Sequence, residues 1–469
     1  MFYTRAAWAA FPKRALPALN VRLRQVLACF TACVLTLGLA VISPEVLAKP
    51  KNKGAEAVNV SQKSERRKAR LAKKRAALAA ATAGGGAAVV AAKEKTRPKA
   101  AAVTDAELLG IYQAVNEGKS QQALGMTQAL LKRAPNYQLL HLIEADLLLI
   151  RGRGNVKLVA SLNEIQKARL YELQQEAWLR LQSQLNKLNK LDNKDTRQIP
   201  SALLQLAENE PYALVVDSKL ARLYVYKNTP NQAPELVADY YITLGKQGIY
   251  KNKEGDQRTP VGVYFVDGPV RQKLTDLYGF AALNTDYPNA WDRRLGRTGH
   301  GIWLHGTPSD TFARAPFASD GCVVLSNPDL DRVLALPNAG TMPIIVMDKI
   351  DLMPAANIAT ERDTLNGLLT QWRDAVLRGD AQALNALYRP DFKSDGQNKQ
   401  AALAALLTSK PTGLKITNIG IFRYPSEPDM VLTQFTETRE LDQSSKAKIK
   451  QLYWKKDAKG WKILLEQTL

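Results

Sequence analysis

The 469-residue chain holds only three histidines and three cysteines, and one of each, His305 and Cys322, stands seventeen positions apart in HGTPSDTFARAPFASDGC. An ordinary thiol has a pKa of about 8.5 and is only a few per cent thiolate at neutral pH. A histidine within hydrogen-bond reach can take its proton and keep a nucleophile ready. Ser319-Asp320-Gly321 sets a tight turn directly before the sulfur. Gly321 opens backbone conformations closed to other residues, so the amides of Gly321 and Cys322 could converge on one point. Two such donors make an oxyanion hole, in which one donor is typically worth about 10²–10³ in rate. Cysteine, base and hole together spell acyl transfer through a thioester. The competing reading of a lone cysteine is a small buried hydrophobe. The ordered, polar turn around Cys322 suits a nucleophile better.

These residues need elements to hold them. GIWLH reads as a strand with Ile302 and Leu304 on one side and Trp303 and His305 on the other. His305 ends that strand just before Gly306, where its ring can emerge into a cleft. Val323-Val324-Leu325 reads as a buried strand anchoring the cysteine. Asn327 before Pro328 reads as a helix cap with proline in the first helical position. Apolar alternation recurs in YALVVDSKLARLYVYKN, DYYITLG, VGVYFVD and MPIIVMD, which predicts a β-rich domain over about 212–349.

The segment resembles the signature of the YkuD-type L,D-transpeptidases: a His-Gly, a loop of this length, then Ser/Thr-His-Gly-Cys. GDQRTPVGVY, at 255–264, matches that family's Gly-Asp-x-x-Thr-Pro-x-Gly-x-Tyr, and YPNAWDRRLGRTGHGIWLHG, at 287–306, matches its lead-in to the histidine. The resemblance covers about 212–349. It implies a twisted β-sandwich-like catalytic domain, Cys322 as nucleophile and His305 as proton donor and acceptor. It implies peptidoglycan stem peptides as substrate, attacked at the carbonyl of the diamino acid's L-centre, with D-alanine leaving and a second stem's amine resolving the thioester. Two positions depart from the pattern. Asp320 stands where the family has a histidine, and Val324 where it often has Arg or Asn. These changes touch the acceptor side. A relative that releases the thioester to water, as a carboxypeptidase or amidase, fits the same residues, and so does an inactive wall-binding scaffold.

Asp320 either orients His305 or His300, or caps the turn, as Asp commonly does; Ser319 opens the same turn. Arg293, Arg294 and Arg297 would either fork onto substrate carboxylates or form a solvated basic face. Trp303, on the histidine's side of its strand, joins them as a candidate substrate contact. His300 reads as a surface loop or a helper, and His141, in an apolar helix, as a packed core histidine. No Cys/His cluster has zinc spacing and no Gly-rich phosphate loop appears, so neither metal nor cofactor is expected.

The rest of the chain is organised around this domain. Residues 1–48 carry five Lys/Arg, one Glu and an uncharged apolar run, Val26 to Ile42, before Val46-Leu47-Ala48. That pattern reads as an export signal cut ahead of Lys49, or as an uncleaved anchor, and predicts a periplasmic or envelope location. Cys29 and Cys33 fall inside it, so the mature chain would keep Cys322 alone. Residues 49–103 carry fifteen Lys/Arg against three Glu. They lack the large apolar groups needed to offset chain entropy, so disorder is expected. They would tether the protein to an anionic envelope surface or act as a spacer; nucleic acid is not expected for an exported chain. A wall-attached protein is a further partner that transfer could serve.

Residues 104–191 are helical by period, with Leu108, Ile111, Tyr112 and Val115 on one face. Gly118, Ala123, Pro135 and Gly152 sit as in a tetratricopeptide-type (TPR-like) repeat, a plain bundle being the alternative. Residues 192–211 read as a polar connection. At 360–469, WRDAVLRGDAQALNALYRPDF and four strand-like runs resemble an NTF2-like (SnoaL-type) α+β cone, with a binding or dimerising role. The fold class expected is therefore multidomain: a helical region, a β-rich catalytic domain and a C-terminal α+β cone.

Overall fold

The computed structural model describes residues 102–151, 162–191, 198–229, 232–394, 396–409, 411–441 and 444–469. The expected export signal, nearly all of the basic segment, and Gly152 lie outside them. Among the described residues no helix is long and apolar enough to cross a membrane.

Four helices open the described chain: α1 (Asp105–Asn116), α2 (Ser120–Arg133), α3 (Gln138–Arg151) and α4 (Glu164–Leu191). Thr104 starts α1 with a capping box: its side chain accepts from the Glu107 amide while the Glu107 carboxylate takes the Thr104 amide. Leu108, Ile111, Leu124, Leu140 and Leu147 bury the apolar stripes of the first three helices against one another. His141 differs from its expected core position. It is exposed, with Nε2 2.8 Å from the Pro135 carbonyl, because it falls on the polar face of α3.

The central domain is one mixed sheet: β3 (Tyr212–Asp217), β4 (Arg222–Lys227), β5 (Glu235–Gly245), β6 (Gly262–Pro269), β7 (Ala282–Thr285), β8 (Trp303–His305), β9 (Phe317–Ser319), β10 (Val323–Leu325) and β11 (Pro343–Met347). The order runs β10-β8-β7-β6-β11-β3-β4-β5-β9, and β10 also pairs with β5. The sheet therefore closes on itself, as a barrel rather than the sandwich-like sheet implied by resemblance. Closure removes the exposed edges that an open sheet would carry. Leu214, Leu223, Leu244, Tyr264, Leu304, Leu325 and Ile344 fill its interior. Two short helices, α5 (Ala290–Arg294) and α6 (Asn327–Leu334), decorate it. Ser326, rather than Asn327, caps α6: its Oγ accepts from the Asp329 amide at 3.3 Å.

Helices and barrel meet across buried charge. Arg180 of α4 pairs with Asp105 and Glu176, while Arg222 of β4 pairs with Asp105 and with Asp239 of β5. All five side chains are almost wholly removed from solvent, so each charge relies on its partners.

The C-terminal part begins with β12 (Leu352–Pro354), then α7 (Ala355–Arg378), α8 (Ala381–Leu387), β13 (Tyr388–Ser394), β14 (Gln397–Asn398), α9 (Lys399–Thr408), β15 (Gly413–Arg423), β16 (Met430–Leu441), β17 (Ser444–Asp457) and β18 (Gly460–Thr468). The helices lie on a curved sheet ordered β14-β13-β18-β17-β16-β15, and Trp372, Phe435 and Trp454 pack between the layers. Residues 198–205, expected as part of a polar connection, form strands instead. β1 (Gln198–Pro200) pairs with β12, and β2 (Leu203–Gln205) adds to the edge at β15. Burial of Ile199, Leu203 and Leu204 explains the difference: the run is short, but its apolar residues face two different modules.

Candidate active site

Cys322 precedes β10, which lies parallel to β8 with Val323 opposite Leu304 and Val324 opposite His305. The same register sets Cys322 beside Trp303. The Trp303 amide donates to Sγ at 3.5 Å, and Sγ donates to the Gly301 carbonyl at 3.5 Å. The turn before the sulfur is held by Ser319, whose Oγ accepts from the Gly321 amide at 3.1 Å and donates to the Cys322 carbonyl at 2.7 Å. This revises one expectation. The Gly321 amide faces Ser319 and not an oxyanion, because the short Ser hydroxyl folds back to close the turn.

Gly321 has φ +122°, and a Cβ there would stand 2.7 Å from the Arg258 carbonyl oxygen. The 255–264 motif is thus the floor of the nucleophile turn. Thr259 Oγ1 accepts from the Gly245 amide at 2.9 Å, tying that floor to β5. Burial opposes ionisation of Asp256, but Lys251 and the amides of Asn252, Lys253 and Arg258 outweigh it and draw its pKa to about 2.

His305 is buried at the end of β8. Its Nδ1 is 2.7 Å from the Gly306 carbonyl. A carbonyl only accepts, so Nδ1 carries the proton and the neutral ring leaves its lone pair on Nε2. Tyr278 packs edge-on against the imidazole at 5.0 Å between ring centroids and tilts against Trp303 at 4.9 Å. Burial lowers the His305 pKa to about 4 and raises that of Cys322 to about 11. Both groups are therefore neutral near pH 7. The sequence led us to expect a ready thiolate; the structure instead holds a thiol bonded to backbone, since a dry site penalises either charge alone.

The other candidates separate clearly. Asp320 is exposed and turned away from the imidazole: its Oδ1 accepts from Lys246 at 3.0 Å and Gln257 at 2.9 Å, and the Lys246 hydrogen bond holds it below the usual carboxylate range. His300 is exposed, 3.6 Å from Glu254. The three arginines leave the site. Arg293 donates to Pro288 and to Gln467 of β18, and Arg294 to carbonyls of Leu464 and Asp391 in the C-terminal sheet. Arg297 pairs with buried Asp292. Arg293 and Arg294 lie on α5, which packs against β18, so these two bind the two modules together, while Arg297 is held within its own. Trp303 stays at the site, through its amide and its ring.

Sequence reasoning missed three residues of the site: Tyr278, on a single turn of 3₁₀ helix and packed on His305 and Trp303; and two cations whose charge acts on Cys322, Lys251, buried against Asp256, and Arg314, half-buried in the loop between His305 and Cys322. Only Arg314 had a local signal, as the sole cation of that loop. A second charged cluster lies inside the C-terminal cone. Lys450 bonds Glu466 at 2.8 Å and lies 3.6 Å from Glu437, and Tyr388 donates to Glu466 at 2.9 Å. Its members come from four strands, which is why no motif announced it. Among the described residues no group of three or more His, Cys, Asp or Glu is placed to hold a metal ion.

Comparison with known proteins agrees with this geometry. The L,D-transpeptidase catalytic domain family, YkuD, matches residues 211–346, and the Cds6 C-terminal NTF2-like domain family matches 364–467. No curated protein matches the chain. Among solved structures, Bd1075 from Bdellovibrio bacteriovorus is 27% identical, with a TM-score of 0.50, over 58% of this chain and 98% of that one. The helical cell shape determining protein Pgp2 from Campylobacter jejuni is 26% identical, with a TM-score of 0.49, over 57% of this chain and 95% of that one. The Cys322 turn and its motif floor thus belong to a YkuD-type L,D-transpeptidase catalytic domain, joined in this chain to a C-terminal NTF2-like domain.

Proposed function

We propose that the protein is an exported enzyme of the cell envelope that cuts and rejoins peptidoglycan stem peptides through a thioester on Cys322. The observation that carries this reading is the turn itself: Gly321 seated on Arg258, Cys322 next in chain, and His305 on the adjoining strand with Nε2 unprotonated. As the sulfur attacks the carbonyl at the diamino acid's L-centre, its proton passes to Nε2. The imidazolium returns that proton to the departing D-alanine amine, leaving the acyl group on sulfur. An incoming amine then gives its own proton to Nε2 and takes the acyl group. Neutral partners suit this order, because charge forms only while the substrate excludes water and completes the hydrogen bonds. The Cys322 amide is the remaining oxyanion donor at the turn.

One observation favours a second reading, hydrolysis by the same nucleophile. Val324, where the family often carries Arg or Asn, is buried in β10, and Asp320 is bound to Lys246. Neither offers an acceptor amine a contact, and water needs none. Incubation with disaccharide-tetrapeptide, followed by mass, tests both. Crosslinked dimers or exchanged D-amino acids support transfer; tripeptide alone supports hydrolysis. Full activity of Cys322→Ala would refute both.

A further inference from the structure

Arg314 is the unexplained cation of the site. Its guanidinium forms no salt bridge among the described residues; its hydrogen bond runs from Nη2 to the Leu277 carbonyl at 3.1 Å. Leu277 adjoins Tyr278, the ring packed on His305 and Trp303. The charge of Arg314 acts on Cys322, His305 and Asp320. The carboxylate whose charge acts on it, Asp320, is already held by Lys246 and Gln257. A half-buried guanidinium with four donors left over and no carboxylate to meet them calls for an anion from outside.

The loop carrying Arg314 is held with unusual care, and from the helical region. Tyr137, between α2 and α3, stacks on Phe312 with centroids 4.3 Å apart and planes 26° from parallel. Both rings are buried, and the Tyr137 hydroxyl donates to Glu176 at 2.9 Å. Asn136 donates to the Ser309 carbonyl at 3.3 Å, while Ser309 donates to Asp276 at 3.2 Å through its amide and its hydroxyl. The Arg314 carbonyl accepts from Tyr241 at 3.0 Å. The backbone on both sides of the guanidinium is therefore fixed, and the side chain itself is tethered through its one bond to Leu277.

We propose that Arg314 receives a carboxylate of the donor stem peptide, and that the helical region holds it in place through the Tyr137–Phe312 stack. The proposal rests on the reading of stem peptides as substrate. Two carboxylates qualify: the terminal one of D-alanine, and the side-chain one where the diamino acid is diaminopimelate. Arg314 touches substrate in this account; Tyr137 acts only through the loop and is a positioning residue.

The test is equilibrium binding without turnover. Full-length Cys322→Ala protein is titrated calorimetrically with the tetrapeptide, with its terminal amide, and with the peptide amidated at the diaminopimelate side chain. One of the two amidations should weaken binding about tenfold or more, the usual worth of a charged hydrogen bond, and so name the carboxylate. Adding Arg314→Gln should erase the difference between acid and amide, while Arg314→Lys keeps part of it. Tyr137→Ala should shrink the same difference and Tyr137→Phe, which keeps the ring, should retain it, with melting temperatures showing that each variant folds. A preference for the acid that persists in Arg314→Gln overturns the proposal. So does the absence of any such preference in the parent, including absence of binding. A full preference in Tyr137→Ala overturns the helical region's part in it. Turnover is assayed separately: a Cys322→Ala chain that still processes tetrapeptide refutes the thioester reading, while the acid-to-amide comparison continues to decide Arg314.

Discussion

The Cα of Gly321 rests against the carbonyl of Arg258, with room for a hydrogen and none for a methyl group. The turn that presents the sulfur is thus defined by a strand-connecting segment some sixty residues earlier in the chain. Gly321→Ala must either leave φ +122° or push Arg258 away. We expect it to lower melting by the equivalent of roughly 1–3 kcal/mol and turnover by at least about 100-fold, read by thermal denaturation and tetrapeptide assay. Wild-type kinetics in this variant would show that the turn is not the seat of the chemistry.

The neutral resting pair has a pH signature. Alkylation of Cys322 by iodoacetamide in the absence of substrate should climb through pH 9 toward about 11, with no plateau near neutrality. His305 contributes to stability with the opposite sense. Its pKa is depressed to about 4 in the folded chain, so between the ordinary value near 6.5 and 4 the unfolded chain binds a proton that the folded one refuses. Stability should therefore fall as pH falls through that window, by up to about 1.4 kcal/mol per pH unit. His305→Asn should remove this component, as measured by urea unfolding at pH 7.5 and 5. An unchanged slope would mean the imidazole is not desolvated.

Arg222 is the hinge of the buried charges between helices and barrel. Arg222→Met takes one buried cation from both Asp105, which keeps Arg180, and Asp239, and should cost about 3–5 kcal/mol in chemical denaturation. Adding Asp239→Asn, which leaves the Asp105–Arg180 pair intact, should recover part of the loss. No recovery would mean that the pairs are not what joins these elements.

Arg293 and Arg294 grip the NTF2-like domain rather than substrate. Replacing both with alanine should leave KM for tetrapeptide within about twofold, while protease cleavage between the two domains accelerates. A large rise in KM would return these arginines to the binding site.

Several strands of the barrel and the turn that carries the sulfur were readable because their signals are local. Alternation marked β3, β4 and β6; HG, GDxxTP and SDGC marked the turns; four runs marked the long strands of the cone. What could not be read depends on contacts between distant segments. Closure of the sheet through β10 and β5 leaves no trace in three apolar residues. Tyr278 reaches His305 from a single 3₁₀ turn with no period of its own. Arg293 and Arg294 look like substrate clamps until the C-terminal sheet is set beside α5. Ser319 taking the Gly321 amide is a matter of one hydroxyl rotor, below anything that spacing can convey.

The strand that follows Cys322 is also the stave that shuts the barrel, bonded to β8 on one flank and to β5 on the other. Pairing of β10 with both strands also takes the adjoining Cys322 largely out of water, and that burial raises its pKa. The pairing that shuts the barrel and the placement of the candidate nucleophile are thus one structural feature.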